Sequence, residues 1–258
     1  MSDRDPRGYP LLFERPDPNH TYVMGIDASV GLPGWDRSLR QVDDLRTDNG
    51  AIEIIRVGHD GQPDVQVAEY AAPIDPVDLA FVANQLGRYY GGNDEDGQCL
   101  CIIEVYPGPG MLTLRAMIDT YGYTNHFMWK YHDTMAPSLT PKLGWYANQR
   151  SVRDLWIVGT RHISSGLTVH HSKWLNDELN DCQKDPIKQY SYAIDGKHDD
   201  RVRAFLMALW AANDWSSPLE VVPTGQVITD EEVPDFQATD CSSEEMERKW
   251  DEIMNYGY

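Results

Sequence analysis

The sequence predicts an α/β fold in which helices cover a mixed central sheet, and three observations predict it. Residues 99–105 form a run that is apolar except for Glu104 and is typical of a buried parallel strand. Residues 22–29 form a first strand, and the shorter patterns at 52–57 and 65–70 form two more. After residue 75, helical patterns alternate with further strands, as α/β architectures require.

The first half of this pattern begins with an arm and continues into a meander. Residues 1–20 are rich in Pro, Asp and Arg and are interpreted as an arm or linker. The segment 59–63 (His-Asp-Gly-Gln-Pro) favours a hairpin turn, so the first three strands are expected to be antiparallel. Asp75 is the expected N-cap of a helix with Pro76 at its first position, and the loop 30–50 is expected to be exposed.

The second half is predicted to alternate between helices and strands. The predicted helices are 111–121, 148–163, 171–181 and 199–213, and the predicted strands are 127–131, 167–169 and 190–193. Beyond Asp214 the composition shifts to Pro, Ser and acidic residues, with one further helix expected over 243–254. We therefore divide the chain into an arm at 1–20, one α/β domain at 21–215 and an acidic tail at 216–258.

Charge and cysteine usage exclude several function classes. The net charge of −19 argues against a simple nucleic-acid binder with a basic surface. The charge is uneven, because the acidic residues crowd into 230–252 whereas 130–161 is locally basic, so the core could still meet DNA. The four cysteines include no C-x-x-C pair, which argues against zinc. The sequence shows no signal peptide and no apolar stretch long enough to cross a membrane.

Three carboxylates stand where a metal ligand would be useful. Asp27 and Glu104 each end a buried strand, and Asp200 opens the helix at 199–213. A buried carboxylate is costly unless it is compensated, and three that converge would suit a hard divalent cation. Each also has a structural interpretation, because Asp27 could cap a turn, Glu104 could accept from loop amides and Asp200 could be an N-cap.

Neighbouring polar residues could assist such a site. His198 could orient a carboxylate or move a proton, or it could be a surface residue. Lys130 and Lys197 could meet a phosphate, and Asp195 and Asp199 could be auxiliary ligands. Lysines are more often solvated, so these assignments stay open.

The chain resembles the C-terminal nuclease domain of the large terminase subunit of tailed bacteriophages over about residues 22–213. The matching segments are 25–31 (Gly-Ile-Asp-Ala-Ser-Val-Gly), 103–110 (Ile-Glu-Val-Tyr-Pro-Gly-Pro-Gly), 146–153 (Tyr-Ala-Asn-Gln-Arg-Ser-Val-Arg), 177–179 (Asp-Glu-Leu) and 196–202 (Gly-Lys-His-Asp-Asp-Arg-Val). The last of these segments is the most specific. The resemblance implies an RNase H-like fold and cleavage of concatemeric double-stranded viral DNA during genome packaging.

The resemblance also implies a ligand set and partners. Asp27, Glu104 and the pair Asp199 and Asp200 would hold two divalent cations, Mg²⁺ or Mn²⁺, with Asp200 preferred within the pair. Water would attack the phosphodiester and leave a 3′-hydroxyl and a 5′-phosphate. The implied partners are a terminase ATPase motor, the portal protein and the small terminase subunit, and the implied location is the host cytoplasm, transiently at the procapsid portal.

One departure from a complete large terminase is visible, because the sequence has no G-x-x-x-x-G-K-[ST] phosphate loop. The motor is therefore expected to be fused upstream or to be a separate chain. Two other functions remain open on the sequence alone. One is a resolvase-like nuclease that acts on branched DNA, and the other is a non-catalytic RNase H-like module for assembly or portal docking.

Overall fold

The computed structural model describes residues 8–29, 48–106, 108–132, 139–184, 191–194 and 197–213. Seven strands form the main sheet: β1 Leu11–Leu12, β2 Tyr22–Asp27, β3 Gly50–Arg56, β4 Asp64–Ala72, β5 Leu100–Tyr106, β8 Trp145–Tyr146 and β9 Thr168–Val169. Two hairpins lie outside it, formed by β6 Met128–His132 with β7 Leu139–Leu143, and by β10 Cys182–Lys184 with β11 Ser191–Ala193. The helices are α1 Pro76–Tyr89, α2 Gly110–Asp119, α3 Gln149–Ser164, α4 Lys173–Asn180 and α5 Asp200–Asn213.

The sheet order is β1-β4-β3-β2-β5-β8, and β9 also pairs with β4. Strands β2, β3 and β4 form the predicted antiparallel meander, whereas β5 runs parallel to β2 and β8 runs parallel to β5. The predicted mixed sheet is therefore confirmed. Because Ile26 pairs with Ile103 in the parallel ladder, the next residues along the two strands, Asp27 and Glu104, lie side by side at one edge.

Helices cover both faces of the sheet, which explains why its central strands are apolar without alternation. Helices α1 and α2 pack on one face, in a cluster that includes Met24, Ile26 and Ile103. Helices α3, α4 and α5 pack on the other, around Val23 and Ile102. Since side chains alternate along a strand, Asp27 and Glu104 share the second face and point toward α5.

Helix α5 touches β2 at Gly25, and this contact determines how close the helix lies to the sheet. A Cβ atom at Gly25 would overlap the carbonyl oxygen of Ala204 and lie 2.7 Å from the amide nitrogen of Ala208. Glycine is therefore needed there for backbone to approach backbone. The close approach lets the first turn of α5 reach the ends of β2 and β5.

Gly25→Ala is expected to destabilise the protein by about 1–3 kcal/mol, because the added methyl forces α5 away from the sheet. The free energy of unfolding in urea would measure this loss. Gly108→Ala is the matched control, since a Cβ there meets nothing within 4 Å. Equal stability of the two variants would show that α5 does not rest on Gly25 as described.

The structure adds elements that the sequence patterns did not indicate. Strand β1 lies within the segment interpreted as an arm, and its Leu11 pairs with Glu69 of β4. Strand β7 contains Pro141, which weakens any strand pattern, and β8 is only two residues long. The tail at 216–258, including the helix expected at 243–254, lies outside the described residues. Among the described helices, none is long and apolar enough to cross a membrane.

Candidate metal centre

Five carboxylates line one cavity of about 280 Å³ at the edge where β2 and β5 end, namely Asp27, Asp48, Glu104, Asp199 and Asp200. The cavity also contains Lys197, His198 and Arg203. Four of the acidic residues that the sequence nominated as ligands, Asp27, Glu104, Asp199 and Asp200, therefore lie around one space. Asp48 is an addition from the end of the loop that precedes β3.

Asp200 reaches the cavity because α5 begins beside the start of β3. The backbone amide of Asn49 donates to its Oδ2 atom at 2.9 Å, and the side-chain amide of Asn49 donates to the same oxygen at 3.2 Å. His198 Nδ1 lies 3.4 Å from that oxygen. Both Asp200 and Asn49 are buried, so this carboxylate is held in one position by the sheet as well as by its own helix.

Asp48, His198 and Asp200 each place one ligand atom within 4.8 Å of the other two. Carboxylate oxygens suit Mg²⁺, and a mixed oxygen and imidazole set also suits Mn²⁺. The donor chemistry of this group therefore fits a divalent cation. Asp199 lines the same cavity, and its backbone carbonyl accepts from the amide of Arg203 at 2.8 Å, so it stands at the N-terminus of α5.

Arg203 joins the two strand-end carboxylates. Its Nε atom lies 3.5 Å from Asp27 Oδ2, and its terminal nitrogen Nη2 donates to Glu104 Oε2. It lies one turn along α5 from Asp199 and Asp200, so it faces the same side of the helix. Arg203 therefore supplies positive charge to both the Asp27 and the Glu104 carboxylate.

Burial and the neighbouring charges both act on the pKa values of the groups in this cavity. Burial raises the pKa of the Asp27 carboxyl well above its ordinary value, Arg203 opposes the rise, and Glu104 and Asp200 add to it. Burial likewise raises the pKa of Asp199. The pKa of Arg203 is raised by Asp27 and then by Glu104. One guanidinium thus faces several carboxylates, and the cavity favours additional cations.

A second polar network lies buried between the sheet and the start of α5. Arg201 donates through Nε to Glu69 at 3.1 Å, and through Nη1 to Glu178 of α4 at 2.7 Å. The Arg201 amide also donates to Glu178, at 2.9 Å. Gln66 donates to Glu53 at 2.7 Å. The network ties α5 to β3, β4 and α4 immediately beside Asp200, and so it helps to position that carboxylate.

The carboxyl of Glu53 is expected to keep its proton to a higher pH in the folded protein than in the unfolded chain. It is fully buried, and burial followed by the nearby Glu69 charge raises its pKa well above the ordinary value. The unfolded chain loses this proton near pH 4.5, whereas the folded chain keeps it to higher pH. Wild-type stability should therefore fall as pH rises above about 4.5, by at most about 1.4 kcal/mol per pH unit from this group.

Glu53→Gln is expected to reduce the dependence of stability on pH, because glutamine resembles the protonated acid in shape and does not ionise. Urea unfolding of both proteins between about pH 5 and 7 would measure the slopes. The variant should gain stability over the wild type as pH rises, whereas exposed Glu95→Gln should not. Parallel slopes for wild type and Glu53→Gln would contradict a raised pKa at this position.

Of the other residues that the sequence nominated for this site, the structure describes some and not others. Lys197 Nζ pairs with Asp181 at 2.9 Å while lining the cavity. Asp195 and the side chain of Lys130 lie outside the described residues. Asp48, Asn49 and Arg203 were missed from the sequence, although the spacing of Arg203 from Asp199 and Asp200 on one helical face was a usable signal.

The fold that carries this site is similar to the folds of several solved structures. Neither protein-family models nor curated proteins give a match. Among solved structures, the large terminase nuclease from thermophilic phage G20c, determined with bound magnesium, matches with a TM-score of 0.53 and 15% identity over 79% of this chain and 88% of that chain. The Thermus phage P74-26 large terminase nuclease domain matches with a TM-score of 0.51 and 16% identity, over 79% and 86%.

A third solved structure, the manganese-soaked terminase nuclease domain of human cytomegalovirus, has a TM-score of 0.45 and 9% identity over 74% of this chain and 83% of that chain. The first two matches each cover 79% of this chain, and their low identity restricts the likeness to architecture. The expected RNase H-like arrangement of a mixed sheet between helices is confirmed. The chain therefore has the fold of the large terminase nuclease domains.

Proposed function

We propose that this chain is a metal-dependent DNA endonuclease that cuts double-stranded DNA during viral genome packaging. The observation that carries the proposal is the cavity in which Asp27, Glu104 and Asp200 converge from two strands and one helix. Ligands on a sheet and a packed helix are rigidly placed, as catalysis with metal ions requires. The fold shared with terminase nuclease domains supports the reaction class.

In this proposal, Asp27, Glu104 and Asp200 hold two cations, Mg²⁺ or Mn²⁺, and Asp48 and Asp199 supplement them. The cations would supply the positive charge that activates a water molecule and stabilises the leaving oxygen. Asn49 fixes the Asp200 carboxylate through two hydrogen bonds, so that its oxygens keep one orientation. His198 lies beside that carboxylate and would exchange a proton with water in the cavity.

DNA would approach along the edge of the sheet formed by β8. Trp145 of β8 pairs with Glu104, which lines the cavity, and α3 follows β8 directly in the chain. Lys142, Arg150 and Arg161, which belong to the locally basic segment, are exposed. Such side chains make contacts to phosphates that do not depend on DNA sequence.

The strong negative charge of the whole chain fits a dependent module. An ATPase motor, fused upstream or separate, would hold most of the DNA, and the portal and small terminase subunit would complete the machine. The domain would span 21–215, with the acidic tail at 216–258 available for docking. This arrangement would keep a nuclease of low sequence specificity from cutting at random.

The test is cleavage of supercoiled plasmid by the purified chain with Mn²⁺, with Mg²⁺ and with EDTA. The proposal expects nicked and linear products only with a divalent cation, carrying 3′-hydroxyl and 5′-phosphate ends that a ligase can rejoin. Absence of cleavage together with absence of Mn²⁺ binding in calorimetry would instead support a non-catalytic assembly module.

A further inference from the structure

The position of Arg203 has a consequence for how the centre is loaded with metal. Its guanidinium contacts one oxygen of Asp27 and one oxygen of Glu104, two cavity-lining residues on adjacent strands. We propose that Arg203 occupies the place of one divalent cation, and that this cation binds only when the guanidinium leaves the two carboxylates. This inference rests on the proposed function, because it concerns the same centre.

Competition follows from the chemistry of the two ligands. A guanidinium stays protonated at every pH at which the protein is folded, so it cannot lose its charge to admit a metal ion. Mg²⁺ and Mn²⁺ bind carboxylate oxygens directly, at about 2.0–2.1 Å for Mg²⁺. Those oxygens on Asp27 and Glu104 already face Arg203, and two cations that share them would repel each other.

The other half of the cavity has no comparable competitor among its described contacts. Asp200 accepts hydrogen bonds from Asn49, which is neutral, and lies beside His198, which carries charge only when it is protonated. Asp48 completes that group of three ligand atoms. A cation should therefore bind tightly beside Asp48, His198 and Asp200, and a second should bind more weakly at Asp27 and Glu104.

Removing the guanidinium should strengthen the weaker site alone. Arg203→Gln is expected to raise the Mn²⁺ affinity of the weaker class by roughly 5- to 150-fold, the usual range for coupling between two ligands. Arg203→Lys keeps the charge but loses the planar fork that spans two carboxylates, so it should give a smaller rise. The tighter class should be unchanged in both variants.

Electron paramagnetic resonance of free Mn²⁺, recorded during titration of the full chain without DNA, would measure both classes. Lys197→Gln is the matched control, because Lys197 lines the same cavity and carries the same charge but pairs with Asp181. The inference expects little change in the control. An equal rise in Lys197→Gln and Arg203→Gln would show a general effect of charge and would overturn competition at Asp27 and Glu104.

Thermal unfolding in EDTA and in Mn²⁺ provides a second readout that needs no cleavage. Arg203→Gln should unfold at a lower temperature than the wild type in EDTA, because two carboxylates lose their counter-charge. Mn²⁺ should then raise the unfolding temperature of this variant by more than it raises that of the wild type. If this variant does not fold in EDTA, Arg203→Lys carries the comparison. Unchanged Mn²⁺ affinity in a folded variant would overturn the inference alone, whereas absence of Mn²⁺ binding in every protein would overturn the proposed function as well.

Discussion

Asp27→Asn is expected to lower the rate of Mn²⁺-dependent plasmid cleavage by about 100-fold or more. Loss of a residue that only supports a metal ligand typically costs 10- to 100-fold, so loss of a direct ligand should cost at least the upper end of that range. Asparagine has nearly the same shape but carries no negative charge. It therefore removes the affinity for the cation without opening a cavity in the sheet.

The same variant should not be less stable than the wild type in the absence of metal. Burial raises the pKa of Asp27 well above its ordinary value, which means that the folded state holds this charge at a cost. The neutral amide avoids that cost, although it also loses the contact with Arg203. Urea unfolding in EDTA would separate a loss of chemistry from a loss of folding.

A matched control for Asp27→Asn is Asp75→Asn at the N-cap of α1. The Asp75 side chain accepts from the Val77 amide at 2.8 Å, and asparagine caps helices about as well as aspartate. This control should cut plasmid at the wild-type rate. Equal cleavage by wild type and Asp27→Asn would contradict the assignment of this carboxylate as a metal ligand.

Arg201→Met is expected to destabilise the protein by about 3–5 kcal/mol, the usual cost of removing one partner from a buried ion pair. Arg201 is 3% exposed, and its loss would leave Glu69 and Glu178 buried without their counter-charge. The free energy of unfolding in urea at neutral pH would measure the effect. Arg153→Met is the control, because its pair with Asp154 is partly exposed and should contribute at most about 1 kcal/mol.

The destabilisation should be partly reversible by neutralising the abandoned acids. Adding Glu69→Gln and Glu178→Gln to Arg201→Met removes the two charges while keeping the side-chain shapes. The triple variant should be more stable than Arg201→Met alone. The network does not anchor α5 in the way described if Arg201→Met lowers the free energy of unfolding by less than about 1 kcal/mol. A triple variant that is less stable than Arg201→Met would contradict it equally.

The sequence predicted the elements that carry their own local signals. Asp75 and Pro76 marked the start of α1, and the turn at 59–63 marked the hairpin between β3 and β4, because caps and turns depend on neighbouring residues. The apolar composition of 99–105 predicted a buried parallel strand, and β5 does run parallel to its neighbour β2. These local signals sufficed for the fold class.

The parts of the site that could not be predicted depend on contacts between distant segments. Asn49 meets Asp200 across 151 residues of sequence, and no local pattern encodes that contact. The bridge from Arg203 to Asp27 and Glu104 likewise requires the helix to cross β2 at Gly25. Asp48 ended a loop without a periodic pattern, so nothing in its surroundings indicated a ligand.

The proposed function requires that the carboxylate cavity binds divalent cations. Anomalous diffraction from crystals soaked in Mn²⁺ tests this requirement most directly. We expect anomalous density within about 2.2 Å of carboxylate oxygens, first beside Asp48 and Asp200 and, at higher Mn²⁺ concentration, between Asp27 and Glu104. Density elsewhere with an empty cavity, in a protein that still cleaves plasmid, would contradict the proposed centre.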